Sequence, residues 1–274
     1  GDMGLLKDKG PDYLIQISRG YWLSQTLFVA HRLGLFELLA RGPMSPDKVS
    51  SHLDLDPRAT TIFLTTLTGL GLLTKTNGQQ YKNSSLTNQC LVKDGQCYLG
   101  DFISHSEHMK SYWEGLAQVL KSGQPAISNS FIEPDMLQIT LFLRAMEQAT
   151  RLVAPEIVAN LDLEGKNQLL DLGSGLAPIT RLLLARYPHL HATLFDLPHI
   201  IKMIKGEILM APNIQGRVLY KEGDCRYEDY GDRIYDAILM SNLIHMYDPE
   251  TNNTIFARAY KALRPKGGLI LHDY

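Results

Sequence analysis

The 274-residue sequence has few of the features that mark several large classes of protein. It has three cysteines, Cys90, Cys97 and Cys225, too few and too scattered for a disulfide framework or a zinc site. They read as free thiols in a reducing compartment, and no metal is expected. No apolar run reaches the ~20 residues of a membrane span, and no secretory h-region opens the chain. Neither sign of charge dominates: the formal net charge is -2. That balance argues against a large nucleic-acid footprint. Neither a nucleic-acid nor a membrane partner is expected, and the free thiols suit the cytoplasm. There is no internal repeat and no low-complexity tract. What remains is ordinary globular composition, 45% hydrophobic and 20% charged.

The first hundred residues carry helical periodicity. From Tyr13 to Leu39, apolar residues recur at three- and four-residue steps: Ile15, Trp22, Leu23, Leu27, Leu35, Leu38. Arg41-Gly42-Pro43 breaks the pattern. Ser45 before Pro46 predicts an N-cap with proline at the first helical position, and Asp56-Pro57 opens a further helix to Gly71. Thr74 to Tyr81 predicts a hairpin, with Asn77-Gly78 supplying a tight turn at positive φ. Helix, short helix, helix, hairpin is a winged-helix pattern, assigned to residues 1–100. A helical linker starts at 101, interrupted at Gln124-Pro125 and Glu133-Pro134. After Gly165, strand-like runs alternate with helical stretches at ~20–30-residue spacing, predicting a parallel α/β sheet within 101–274.

The sharpest local signal is Asp171-Leu172-Gly173-Ser174-Gly175-Leu176-Ala177. A strand enters a glycine turn and a helix leaves it, so the backbone can approach a ligand closely. The next strand ends in Asp196-Leu197, where a carboxylate can hold ribose hydroxyls. A nicotinamide-binding fold shares such a turn, but Asp-x-Gly-x-Gly-x-Ala is stepped in twos, unlike Gly-x-Gly-x-x-Gly. Gly223-Asp224-Cys225 follows a third strand, and an acidic side chain there can accept from an adenine amino group. A fourth strand runs through Ser241 and Asn242 to His245. Strand C-termini face the ligand crevice of open α/β sheets.

In these motifs and their order the sequence resembles the S-adenosylmethionine-dependent O-methyltransferases of the plant phenolic, acetylserotonin and bacterial tailoring type. The resemblance covers essentially the whole chain. It implies a Rossmann-like methyltransferase sheet preceded by an α-helical winged-helix dimerisation domain, and hence a homodimer. It implies S-adenosylmethionine as cofactor, held by Asp171, Gly173, Ser174, Gly175, Asp196, Leu197, Gly223, Asp224, Cys225 and Ser241. It implies His245 as general base, with Asp273 orienting it. Phe142-Leu143-Arg144-Ala145-Met146 resembles the helix lining the family's acceptor pocket. Trp113, Met146 and Asn242 are the candidate acceptor contacts, although helix packing accounts equally well for Trp113 and Met146.

Three departures stand out. Ala177 replaces the usual third glycine and is expected to crowd the cofactor slightly. Met246-Tyr247 stands where the family often has Asp-Trp. The sequence stops at Tyr274, after the fifth strand, whereas the family continues with an antiparallel hairpin and a helix; on this reading the fold is truncated at its C-terminal part.

Histidine chemistry narrows the acceptor. Moving a proton from a phenol (pKa about 10) to a histidine (about 6.5) is uphill by about 5 kcal/mol, part of which a nearby sulfonium offsets. An aliphatic alcohol is uphill by about 13 kcal/mol. A phenolic or enolic hydroxyl of a small molecule is therefore the expected acceptor. Two other classes compete: a family member that binds the cofactor without O-methyl transfer, and a winged-helix regulator with a sensor domain. The second is disfavoured because Arg58 is the only basic residue of the presumed recognition helix, a poor phosphate footprint.

Overall fold

The computed structural model describes residues 10–125, 136–207 and 212–273. Glu133-Pro134 and Tyr274 lie outside the described residues. The chain forms two compact units, one to Gln148 and one from Ala149. The first therefore extends beyond residue 100 to take in much of the helical linker.

The first unit opens with α1 (Pro11–Arg32) and α2 (Leu35–Ala40), followed by α3 (Pro46–Leu53) and α4 (Pro57–Gly69). Both helix starts follow capping chemistry. Ser45 accepts from Lys48 N at 3.4 Å, Asp56 accepts from Ala59 N at 2.7 Å, and each cap precedes a proline. β1 (Leu73–Lys75) and β2 (Tyr81–Asn83) form the antiparallel wing, extended by a bridge from Met44 to Tyr81. Leu35, Phe36, Leu38, Leu39, Val49, Leu64, Leu67, Leu73 and Tyr81 make its core. α5 (Ser85–Cys90), α6 (Gly100–Glu114) and α7 (Leu116–Ser122) follow, and α8 (Met136–Ala159) crosses the boundary between units.

The wing turn differs from the sequence expectation. Gln79, at φ 61°, takes the left-handed conformation, and neither Asn77 nor Gly78 has positive φ. Gln79 N donates to Thr76 O at 3.1 Å and Thr76 N to Gln80 O at 2.8 Å. This is a three-residue loop, a type I turn closed by one left-handed residue, rather than the two-residue turn that Asn-Gly favours.

The second unit alternates β3 (Gln168–Leu172), α9 (Pro178–Arg186), β4 (His191–Asp196), α10 (Pro198–Glu207), α11 (Pro212–Gln215), β5 (Val218–Glu222), β6 (Tyr235–Ser241), α12 (Pro249–Ala262) and β7 (Leu263–His272). The strands form one parallel sheet in the order β5-β4-β3-β6-β7. The order reverses at β3, so all five carboxyl ends open on one edge around a topological switch point. Leu170, Leu172, Phe195, Ile238 and Met240 are fully buried, as two-sided parallel strands require. At Arg264-Pro265-Lys266-Gly267 there is a wide irregularity in β7: Tyr235 pairs with Leu263, and Ala237 already with Gly268. Arg264 Nη1 bonds Asp236 at 3.1 Å there. No described helix is long and apolar enough to cross a membrane.

Candidate active site

The site is built from the ends of β3 to β7. Gly173 and Gly175 adopt φ 71° and 50°, which only glycine takes readily. Gly173 N and Ser174 N both donate to Phe195 O, at 2.9 and 3.2 Å, which hooks the loop onto β4. A Cβ on Gly173 would lie 2.8 Å from Leu243 Cδ1, so glycine is also required for the close approach to the segment after β6. Asp196 closes the loop: its Oδ2 accepts from Gly175 N and its Oδ1 from Leu197 N, each at 2.8 Å. Burial pushes this carboxyl up to about 6, with the two amide N–H groups pulling against it.

Asp171 lies deeper, 3% exposed, and accepts from Thr180 Oγ1 of α9 at 2.6 Å. Burial pushes it up to about 7, with the Thr180 bond opposing and Asp196 adding. Its contacts thus pin α9 beneath the loop. Ala177 is left-handed at φ 53° and only 1% exposed. The left-handed conformation is one that alanine adopts at a cost in backbone strain.

Beyond β5, Gly223 N donates to Asp196 O at 3.0 Å. Asp224 is engaged by its neighbour: Arg226 Nη2 reaches Oδ2 at 2.6 Å and Nε reaches Oδ1 at 3.0 Å. That pairing holds Asp224 below the usual carboxylate range. Cys225 is buried, and burial raises its thiol. The Ser241 hydroxyl pairs with His272 Nδ1 at 2.9 Å, across the register of β6 and β7. Asn242, left-handed at φ 54°, gives its amide to Thr150 Oγ1 at 3.3 Å. A short 3-10 turn, Ile244–Met246, then presents His245. His245 Nδ1 lies 2.5 Å from Asp273 Oδ1, with the His245 side chain half exposed and that of Asp273 14% exposed. Trp113 and Met146 belong to the first unit, the former 70% exposed on α6 and the latter half-buried on α8. Sequence reasoning passed over Arg226, Thr180 and Thr150, which contact the singled-out residues Asp224, Asp171 and Asn242 but belong to no motif themselves; only Arg226, two residues after Asp224, left a local cue.

The arrangement fits an S-adenosyl cofactor. Ser174 Oγ in the glycine loop and Asn242 Oδ1 at the end of β6 are buried with no partner among the described residues. Buried polar atoms ordinarily have one. The Asp196 carboxylate retains acceptor capacity beyond its two amide bonds. Among the described residues, no group of three or more histidine, cysteine, aspartate or glutamate side chains is placed to hold a metal ion.

Comparison with known proteins agrees. The O-methyltransferase domain family matches residues 120–274, and the O-methyltransferase dimerisation domain matches residues 15–93. The 3-hydroxy-5-methyl-1-naphthoate 3-O-methyltransferase of Streptomyces sahachiroi is 29% identical over 268 residues, 95% of this chain and 76% of the relative. The L-tyrosine C(3)-methyltransferase of Streptomyces lavendulae is 29% identical over 261 residues, 90% of this chain and 70% of the relative. The crystal structure of human N-acetylserotonin methyltransferase in complex with SAM shares the fold, with a TM-score of 0.84 at 22% identity, covering 98% of this chain and 81% of that one. A matched catalytic domain spanning more than half of the sequence, preceded by the matching dimerisation domain, places this chain in the S-adenosylmethionine-dependent O-methyltransferase family.

Proposed function

We propose that the enzyme methylates a phenolic or enolic oxygen of a small molecule, with His245 as general base and Asp273 orienting it. The observation that carries this reading is the 2.5 Å contact between His245 Nδ1 and Asp273 Oδ1. A carboxylate on Nδ1 favours the tautomer with its proton there, leaving Nε2 to accept one. The carboxylate also stabilises the imidazolium that forms. Bound S-adenosylmethionine supplies the electrophilic methyl group.

The chain's own groups divide the remaining work. The Gly173–Gly175 loop, Asp196 and Leu197 cradle the cofactor; Asp196 accepts from ribose hydroxyls and the Ser174 hydroxyl finds its missing partner. Asp171 fixes the loop from below. Gly223, Asp224 and Cys225 border the adenine, and Ser241 holds the strand end. Asn242 would contact the acceptor through its Oδ1, which has no partner among the described residues; Trp113 and Met146 are the acceptor contacts the first unit offers. Residues 1–100 pair two copies, residues 101–274 carry the chemistry, and the enzyme works in the cytoplasm. A relative that methylates carbon keeps the acceptor atom worth testing; an enolic or phenolic acceptor has both oxygen and carbon nucleophiles.

The test is His245→Ala assayed on a panel of phenols and enols, with product regiochemistry read by mass spectrometry and NMR. Turnover should fall by roughly 10²–10⁴-fold while the affinity for S-adenosylhomocysteine holds. Asp196→Ala should do the converse, weakening that affinity by about 1–3 kcal/mol. Parental turnover in His245→Ala removes the base assignment.

A further inference from the structure

Two pieces of the site are joined through Tyr247, which has no role in the reading above. One is the turn after β5, residues 223–226. The other is the 3-10 turn bearing His245. Tyr247, two residues after the histidine, lies against the first turn: Cys225 Sγ donates to the Tyr247 phenol oxygen at 3.6 Å, and the Arg226 guanidinium carbon sits 5.9 Å from its ring centroid. That face is rigid. Arg226 is held by Asp224 through Nε and Nη2, Arg258 of α12 donates to the Arg226 carbonyl, and the Tyr230 hydroxyl donates to the Cys225 carbonyl.

The histidine turn is weakly held by its own backbone. Met246 N to Leu243 O is 3.2 Å and Tyr247 N to Ile244 O is 3.4 Å, both at or beyond the long end for N–H···O bonds. Side chains supply the rest. Asn252 of α12 donates to Ile244 O at 2.8 Å and to Tyr247 O at 3.2 Å, bracketing His245. Asn252 and Asp273 fix the turn against α12 and the end of β7; Tyr247 ties it to the cofactor turn. Burial also raises the Tyr247 phenol, so it stays neutral and serves as a contact rather than a charge.

We infer that Tyr247 is a positioning residue that makes His245 follow the state of the 223–226 turn, so that a filled adenine site sets the base in place. The inference rests on the reading of His245 as base. A cation over an aromatic face and a thiol on its hydroxyl give the contact two independent parts. Tyr247→Phe keeps the ring on Arg226 and loses the thiol partner; Tyr247→Leu loses both.

The experiment compares the parent, Tyr247→Leu, Tyr247→Phe and Arg226→Met in three measurements: steady-state kinetics, calorimetry with S-adenosylhomocysteine, and the His245 imidazole NMR signal, assigned by its loss in His245→Ala, with and without S-adenosylhomocysteine. Tyr247→Leu should lower kcat by about 10–100-fold, the scale of a small misplacement of a reacting group. Its affinity for S-adenosylhomocysteine should hold, because Asp196 and the glycine loop are untouched, and Tyr247→Phe should recover most of the lost kcat. The ligand-induced shift of the imidazole signal, present in the parent, should shrink in Tyr247→Leu and in Arg226→Met. Parental kcat in Tyr247→Leu, or a parental imidazole shift in both variants, overturns the inference. Should Tyr247→Leu fail to fold, Arg226→Met alone decides it, a parental shift being fatal. Parental turnover in His245→Ala would instead defeat the base assignment, while the imidazole shift still reads the coupling separately.

Discussion

Asp171 shows how a single buried residue makes stability depend on pH. Its carboxyl titrates at about 7 in the folded chain against 3.8 ordinarily, because burial penalises the charge more than the Thr180 bond relieves it. Between those values the folded protein binds the extra proton, so stability falls as pH rises from about 4 to about 7 and stays lower above that. Asp171→Asn keeps an acceptor for Thr180 and has no charge to bury. In thermal melts of the ligand-free protein, the parent's midpoint should drop from pH 5 to pH 8 by more than the variant's. The variant should be the more stable of the two at pH 8. Parallel curves would mean that Asp171 ionises freely, against the burial seen here. The motif Asp171 to Gly175 was legible as a ligand loop because glycines at two-residue steps state a backbone requirement. The inward turn of Asp171 toward Thr180 was not, since no sequence spacing says which way a carboxylate points. The same holds for Asp224, whose spacing from Arg226 does not say that the guanidinium holds its oxygens.

Elements were legible where burial imposes a pattern. All five sheet strands were visible as apolar runs bounded by polar or glycine residues, and the caps at Ser45 and Asp56 as side-chain chemistry. Connections were harder, because a loop's conformation depends on how the strands it joins are registered. The wing turn is the clearest instance. Leu73 pairs with Asn83 and Lys75 with Tyr81, leaving room for a three-residue loop in which Gln79, not Gly78, is left-handed. A Cβ on Gly78 meets nothing closer than Thr76 Oγ1 at 4.0 Å. Gly78→Ala should therefore be neutral or stabilising by up to about 1 kcal/mol through the unfolded chain. Gln79→Gly relieves about 1–2 kcal/mol of left-handed strain but frees the unfolded chain, for a net gain of up to about 1 kcal/mol. Urea unfolding checks both. A loss above about 1 kcal/mol in Gly78→Ala would restore the two-residue turn that the Asn-Gly pair suggests.

At the scale of the whole molecule, a winged-helix unit raises the question of what it binds. The sequence reading disfavours nucleic acid, because α4 carries Arg58 as its single basic residue and the net charge is -2. The dimerisation-domain match points to a second copy of the chain, and the exposed face of α1 is where we would test for the contact. Its C-terminal half feeds the core through Phe28 and Ala30. Its N-terminal half does not: Leu14 (69%), Ile17 (58%), Tyr21 (62%), Trp22 (52%) and Leu23 (58%) are exposed. Leu14, Ile17 and Tyr21 recur at helical spacing on one side, so the exposure is a stripe rather than scatter. A stripe of large apolar side chains exposed along more than two helical turns marks a surface that a partner covers. A two-fold pairing of α1 with its copy removes this surface from water without touching the catalytic unit's core. Light scattering should accordingly give a dimer at micromolar concentration. Ile17→Glu combined with Tyr21→Glu places two charges per chain in the contact and should give a monomer with unchanged helical circular dichroism, since neither side chain belongs to the unit's own core. A parent that scatters as a monomer, or a double variant that stays dimeric, would show that this stripe is not the dimer contact.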